Sequence, residues 1–134
     1  MLCVSANCSA TILTIYKAKA EAVREAEIFE GCFAISTCPS EGIESPTVVG
    51  AQAANELLDI AGMKASIVMT FYNNTIYLSA RSIDEVNVQV MMEKLGGGGH
   101  RTIAGAQLKD MSLEEARNRV KEVIRDMLEK GDIS

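Results

Sequence analysis

Tryptophan is absent, histidine occurs once, and only three tyrosines and three phenylalanines are present. Surfaces that bind single-stranded nucleic acid without reading its sequence stack bases on rows of aromatic rings, and this chain has few rings to offer. Hydrolysis at a metal centre needs clustered histidine and aspartate ligands, which a single histidine and no grouped aspartate motif do not supply. No serine or cysteine sits in a recognisable nucleophile context. Positive charge is also in deficit: 13 Lys and Arg against 18 Asp and Glu leave a net charge of -5. That balance argues against broad adhesion to phosphate backbones, which requires a basic surface to release counterions. No apolar run approaches the roughly 20 residues of a membrane helix, and the first positive charge is Lys17, so neither a spanning segment nor a secretory signal is evident. The four cysteines, Cys3, Cys8, Cys32 and Cys38, form no close pair of the kind that holds structural zinc. A core-forming chain of this size needs no disulfide staples, so reduced thiols in a cytoplasmic protein are expected.

What is present is a chain of 134 residues, 48% hydrophobic and 23% charged, enough for one globular domain with its own core. Residues 1–10 give no periodic signal and read as a tail. Helical spacing of Ile12, Ile15, Tyr16, Ala20 and Val23 predicts a helix over 11–30 ended by Gly31. The apolar run from Cys32 to Cys38 predicts a strand, closed by Pro39 and an acidic loop to Pro46. Thr47 can cap a helix to about Ala61. Residues 66–72 and 75–80 are β-branched and aromatic, and Asn73-Asn74 between them tolerates the positive φ of a tight hairpin turn. Ser82 with Glu85 reads as a capping box for an apolar helix to Leu95, residues 104–109 as a short strand, and Ser112 with Glu115 as a second capping box opening a strongly amphipathic last helix. The expected fold is α/β: a single domain with a mixed sheet of about four to five strands, including one hairpin, flanked by helices. Residues 1–30 are expected to be tail and connector helix, and residues 31–134 the domain.

Chemistry concentrates at Gly96-Gly97-Gly98-Gly99-His100-Arg101. Four glycines let a ligand approach peptide N–H groups, and the His and Arg that follow add side-chain donors, a combination suited to phosphate. A P-loop is excluded, because the glycines follow a helix and lack the Gly-Lys-Ser/Thr ending, and a dinucleotide fingerprint fits neither in letters nor in context. The negative end of the preceding helix opposes an anion there, so cationic side chains must contribute. Ser79-Ala80-Arg81-Ser82 is the second candidate, with Arg81 placed to hold a phosphate at a strand end. Asn87 is a polar residue in an apolar run, either a satisfied buried amide or a part of the site. A helix from Ser82 to Leu95 is on the order of 20 Å long, so the two motifs meet only if the glycine loop folds back along it.

Taken jointly, Leu95-Gly-Gly-Gly-Gly-His100-Arg-Thr-Ile-Ala104-Gly105, Ser79-Ala-Arg-Ser82 and Asn87-Val-Gln resemble the DHH-associated C-terminal domain of DHH-family phosphoesterases, with the nearest likeness to cyclic di-AMP phosphodiesterases of the GdpP type, over roughly residues 12–130. The resemblance implies a substrate-binding half of a phosphodiesterase of cyclic di-AMP or linear dinucleotides. Its partner would be an N-terminal catalytic domain that holds manganese and performs the cleavage. On the same basis Arg81, Ser82, Asn87, Gly97, Gly98, Gly99, His100 and Arg101 would contact or order the ligand. No catalytic residue, metal or cofactor is expected in this chain, and the isolated chain is expected to be inactive. It also implies a cytoplasmic location, without direct membrane contact although full-length members are membrane-tethered, and leaves a homodimer open. Related domains occur in RecJ-like nucleases and alanyl-tRNA synthetases, so a stand-alone single-stranded nucleic-acid binding module is the alternative.

Overall fold

A computed structural model of the chain describes residues 2–131, with side chains from residue 12 onward. The elements in order are α1 (Leu2–Arg24), β1 (Glu27–Phe29), β2 (Phe33–Thr37), α2 (Pro46–Leu58), β3 (Ala65–Tyr72), β4 (Thr75–Ser82), α3 (Val88–Glu93), β5 (Gly98–Gly99), β6 (Ile103–Lys109) and α4 (Leu113–Glu129). Among these residues the strands form one sheet of six in the order β1-β2-β3-β4-β6-β5. Only β2 and β3 run parallel, joined by α2 as a crossover; every other neighbouring pair is antiparallel. The mixed sheet flanked by helices is as expected, with more strands than the four to five read from the sequence.

Side chains alternate across the sheet with period two, and the two faces bury different cores. On one face Phe33, Ile35, Ile67, Met69, Ile76 and Leu78 pack with Met91 and Met92 of α3 and Val120, Ile124 and Met127 of α4. Fully burying each such side chain contributes about 1.5–3 kcal/mol. On the other face the small residues Ala34, Ala53 and Ala54 and the helix residues Ala18, Ala22 and Leu57 bring α1 and α2 close to β2 and β3. Buried serines fit this tight face because each hydroxyl has a helix carbonyl: Ser36 donates to Ala22 O, and Ser66 donates to Ala54 O at 2.6 Å. The Asn73-Asn74 turn closes the β3–β4 hairpin with φ of 52° and 58°, the pair of left-handed residues that such a turn demands.

Three sequence readings are corrected. The first helix begins at Leu2 and stops at Arg24 rather than spanning 11–30, and the segment after it turns back as edge strand β1. Gly31, φ 82°, therefore belongs to the turn between β1 and β2 and is not a helix cap. The contacts of this edge lie far along the chain: Glu27 takes Lys121 at 2.7 Å and Arg117 at 3.1 Å, both on α4, while Lys121 and Arg125 lie over the Phe29 ring. Lastly, residues 82–87 are not helical; β4 continues to Ser82 because its N–H donates to Thr102 O at 3.0 Å, and the helix is confined to Val88–Glu93. The second capping box holds, with Glu115 N–H donating to Ser112 Oγ at 3.1 Å.

Cys32 and Cys38 are free thiols, and burial pushes the Cys38 thiol up to about 11, so it is inert as a nucleophile at neutral pH. Cys3 and Cys8 lie outside the residues whose side chains are described. No helix among the described residues is long and apolar enough to cross a membrane.

Hydrogen bonding to Lys121, helped by the charges of Lys121 and Arg117, holds the Glu27 carboxyl below its ordinary value of 4.5. A carboxylate depressed in the folded state stabilises the fold at pH above its unfolded value and loses that contribution as pH falls through the folded one. Chemical denaturation across pH 3 to 7 should therefore show a stability decline below about pH 4.5 that is smaller in Glu27→Gln than in wild type. Superimposable pH profiles would show that the β1–α4 ion pairs contribute nothing.

Candidate functional site at the end of the glycine hairpin

The glycine run serves the fold at three of its four positions. After α3, Gly97 N–H donates to Met92 O at 2.8 Å and Gly96 N–H to Glu93 O at 3.1 Å, the crossed pair of bonds of a Schellman cap, with Gly96 at φ 87° in the left-handed position the cap requires. The chain then enters β5, which lies so near β6 that side chains have no room. A Cβ on Gly97 would collide with Gly105 O and stand 2.6 Å from Ala106 Cα, and one on Gly99 would stand 2.6 Å from Ala104 Cα. At Gly105 it would lie 2.7 Å from Leu78 O of β4. Gly98 differs: a Cβ there meets nothing within 4 Å. Neither packing nor backbone conformation in the fold accounts for glycine at 98.

The same bonds narrow the supply of backbone donors. Gly96 and Gly97 use their N–H groups on the helix cap, and His100 N–H donates to Ile103 O at 2.7 Å. Because His100 and Ile103 form a hydrogen-bonded pair, the next pair along the ladder, Gly99 with Ala104, is of the non-bonded kind, whose N–H and C=O groups point away from the partner strand. β5 is the last strand of the sheet, so the Gly99 amide faces outward from its edge.

The two separated motifs meet here without any folding back along a helix. Arg81 is directly opposite Ile103, and Ile103 is opposite His100, so the three lie side by side across β4, β6 and the end of β5. With strands about 4.8 Å apart, the Arg81 and His100 backbones are roughly 10 Å apart, close enough for both side chains to reach one small ligand. Arg81 is half-buried and pre-positioned, its Nε donating to Asn55 Oδ1 of α2 at 3.0 Å and another nitrogen to Ala80 O at 2.9 Å. Burial lowers its pKa, but a guanidinium remains a cation at physiological pH. His100 is exposed, with no side-chain partner among the described residues.

The other expected site residues secure this arrangement from behind. Ser82 follows Arg81 on the strand and so faces the opposite side of the sheet; it is buried and donates to Val86 O at 2.6 Å. Asn87 accepts from Val90 N–H at 3.2 Å as the N-cap of α3. Arg101 clamps the loop, with Nε and a terminal nitrogen donating to Asp84 O at 3.1 and 2.8 Å and Nε lying 3.2 Å from the Asp84 carboxylate. Its carbonyl also accepts from Val88 N–H at 2.9 Å. With a six-residue α3 already capped by Gly96 and Gly97, the opposing helix dipole inferred from a long helix is largely removed.

Beside this row, on the same face of β4 and β6, is a cleft of about 520 Å³ lined by Thr47, Tyr77, Ser79, Gln107 and Lys109 and floored by Gly97 and Gly105. Of its residues, the sequence singles out Gly97, Gly105 and the Ser79 segment and not Thr47, Tyr77, Gln107 or Lys109. The signal available was the alternation 77-79-81 on one strand and 103-105-107-109 on another, which means little until the two strands are known to pair. Among the described residues no group of three His, Cys, Asp or Glu side chains could hold a metal ion.

The family model of the DHHA1 domain matches residues 31–129. The chain is 42% identical over 109 residues to the cyclic-di-AMP phosphodiesterase PdeA of Listeria monocytogenes, covering 81% of this chain and 16% of that protein. It is 40% identical over 117 residues to the cyclic-di-AMP phosphodiesterase GdpP of Geobacillus thermodenitrificans, covering 87% and 18%. It thus spans less than a fifth of the length of these relatives. Among solved structures, an exopolyphosphatase-related protein from Bacteroides fragilis superimposes with a TM-score of 0.73 at 16% identity, over 85% of this chain and 35% of that one, a likeness of fold.

Gly97 and Gly98 should separate structure from ligand. Gly97→Ala must push β5 away from β6 and should destabilise by about 1–3 kcal/mol, as overpacking does. Gly98→Ala should leave thermal stability within about 0.5 kcal/mol of wild type. Thermal melts of both variants check this, and equal losses would mean that Gly98 is constrained by the fold after all.

Proposed function

The chain belongs to the DHHA1 domain family, and on that footing we propose that it is the nucleotide-binding part of a phosphodiesterase acting on cyclic di-AMP or linear dinucleotides. The row Arg81, Ile103, His100, ending at the bare edge of Gly98 and Gly99, is the observation that carries the reading. A guanidinium offers paired N–H donors that match two oxygens of one phosphate, and Asn55 holds it in place before the ligand arrives. An imidazole across the row and an outward backbone N–H at Gly99 supply donors from a second direction. The missing Cβ at Gly98 lets a phosphate or sugar lie against the backbone.

The chain's own residues therefore bind and orient. Arg81, His100, Gly98 and Gly99 hold the phosphate, while Ser82, Asn87 and Arg101 fix the loop that presents them. Cleavage belongs, in this reading, to a catalytic domain elsewhere in the full-length protein, whose manganese ions would activate water and stabilise the charge that develops on the phosphate. The ligand would be enclosed between the two parts, so its affinity for this part alone is expected to be low.

Nuclear magnetic resonance titrations of the whole chain with a linear adenylate dinucleotide, cyclic di-AMP and a longer single-stranded oligonucleotide test the proposal. Arg81→Ala should weaken dinucleotide binding about ten- to a hundredfold, the effect of losing a hydrogen bond to a charged group, and His100→Ala somewhat less. Chain supplied with manganese and cyclic di-AMP should give no turnover. Binding that neither substitution changes would refute the site, and a clear preference for the oligonucleotide would favour a single-stranded nucleic-acid module.

A further inference from the structure

The phosphate row accounts for one end of the open sheet face, and the 520 Å³ cleft occupies the rest of it. Its volume lies within the range of small-molecule sites. Three features give it a specific chemistry. Tyr77 and Gln107 are directly opposite each other on β4 and β6, so their Cβ atoms are about 5 Å apart on one face. Their side chains thus bring an aromatic ring and a carboxamide into one cleft. Gly97 and Gly105 cannot carry side chains for reasons internal to the sheet, which keeps the floor beside the ring bare. Lys109, opposite Thr75 at the far end of β6, supplies a cation, and Thr47 brings the first turn of the 13-residue α2 to the wall.

We infer that this cleft is a nucleobase subsite, in which a base stacks on Tyr77 and presents its edge to Gln107. An aromatic ring stacks any base, and a glutamine carboxamide, one donor beside one acceptor, complements the adjacent donor and acceptor on the edge of an unpaired base. Tyr77 and Arg81 lie four residues apart on β4, roughly 13 Å, so the subsite and the phosphate row suit two linked nucleotides better than one. Lys109 then lies within reach of a second phosphate beyond the stacked base. The inference rests on the proposed nucleotide-binding role and goes beyond it by assigning residues to the base.

Affinities of wild type, Tyr77→Leu, Tyr77→Phe, Gln107→Ala and Arg81→Ala for adenylate dinucleotide, cytidylate dinucleotide and ribose 5-phosphate test it, again by resonance titration of the whole chain. Tyr77→Leu should lose on the order of tenfold for the adenylate dinucleotide, the loss of one stacked base, and nothing for ribose 5-phosphate, while Tyr77→Phe binds as wild type. Gln107→Ala should weaken the dinucleotides and leave ribose 5-phosphate unchanged, and the Gln107 side-chain amide of the wild type should shift with the dinucleotides and not with ribose 5-phosphate. Should Tyr77→Leu match wild type while Arg81→Ala is weakened, the base subsite is wrong and the phosphate site stands. Equal weakening of the adenylate dinucleotide and of ribose 5-phosphate by Tyr77→Leu also overturns the subsite, since it would report a general disturbance. If wild type binds no ligand at millimolar concentration, or no variant differs from it, the nucleotide-binding reading fails and takes the subsite with it.

Discussion

Everything at the candidate site depends on how closely three backbones approach one another. β6 lies between β4 and β5, and glycines stand at each point where a side chain would hold the strands apart: Gly105 against Leu78 O on one side, Gly97 and Gly99 against Ala104, Gly105 and Ala106 on the other. Glycine is conformationally costly in a strand, and here the cost is offset by ladder hydrogen bonds and by a sheet face kept free of bulk. The close approach also sets the register, and the register sets Arg81 beside Ile103 and Ile103 beside His100. A slip of one residue would turn Arg81 to the buried face and expose Leu78 and Ala80 in its place.

This constraint explains why the loop looks richer in phosphate donors from the sequence than it is. Four glycines followed by His and Arg suggest a nest of backbone amides, yet the amides of Gly96, Gly97 and His100 are already bonded within the fold, and Arg101 is bound to Asp84. What remains available is small and directional: an outward Gly99 amide, an open Gly98, an exposed imidazole and a guanidinium fixed by Asn55. On the proposed reading, such a surface holds a phosphate from one side only. That one-sidedness fits the proposal that the ligand is enclosed by a second part, and the chain spans less than a fifth of the length of these relatives.

Local signals were legible where local physics decides. The Asn73-Asn74 hairpin, the Ser112–Glu115 cap and the stripe of α4 all follow from turn chemistry and periodicity, and the structure contains them. Legibility failed where a distant partner overrode a local preference. β1 pairs with β2 and receives Arg117 and Lys121, 90 and 94 residues on, at Glu27, and a window around Glu27 sees only more helix-like charge. Ser82 reads as an N-cap by composition, but pairing with Thr102 keeps it in a strand and passes the capping role to Asn87. The site was legible by residue type and not by arrangement: Arg81 and His100 were both visible as donors, whereas the expected long helix between them kept them apart.

The same reasoning weighs the two chemical ends of the open face. An exposed ion pair contributes little in water, whereas a guanidinium that is half-buried and already hydrogen-bonded loses less rotational freedom when an anion arrives. Arg81 therefore suits the proposed contact with phosphate, and the proposed base contact falls to a less polar surface next to it. Tyr77 and Gln107 form the cross-strand pair that combines apolar area with a directional amide on that face, and they are reached by continuing the alternation from Arg81 down β4. On the proposed reading strand geometry thus divides the labour, with charge at the strand end and shape along the strand beside α2.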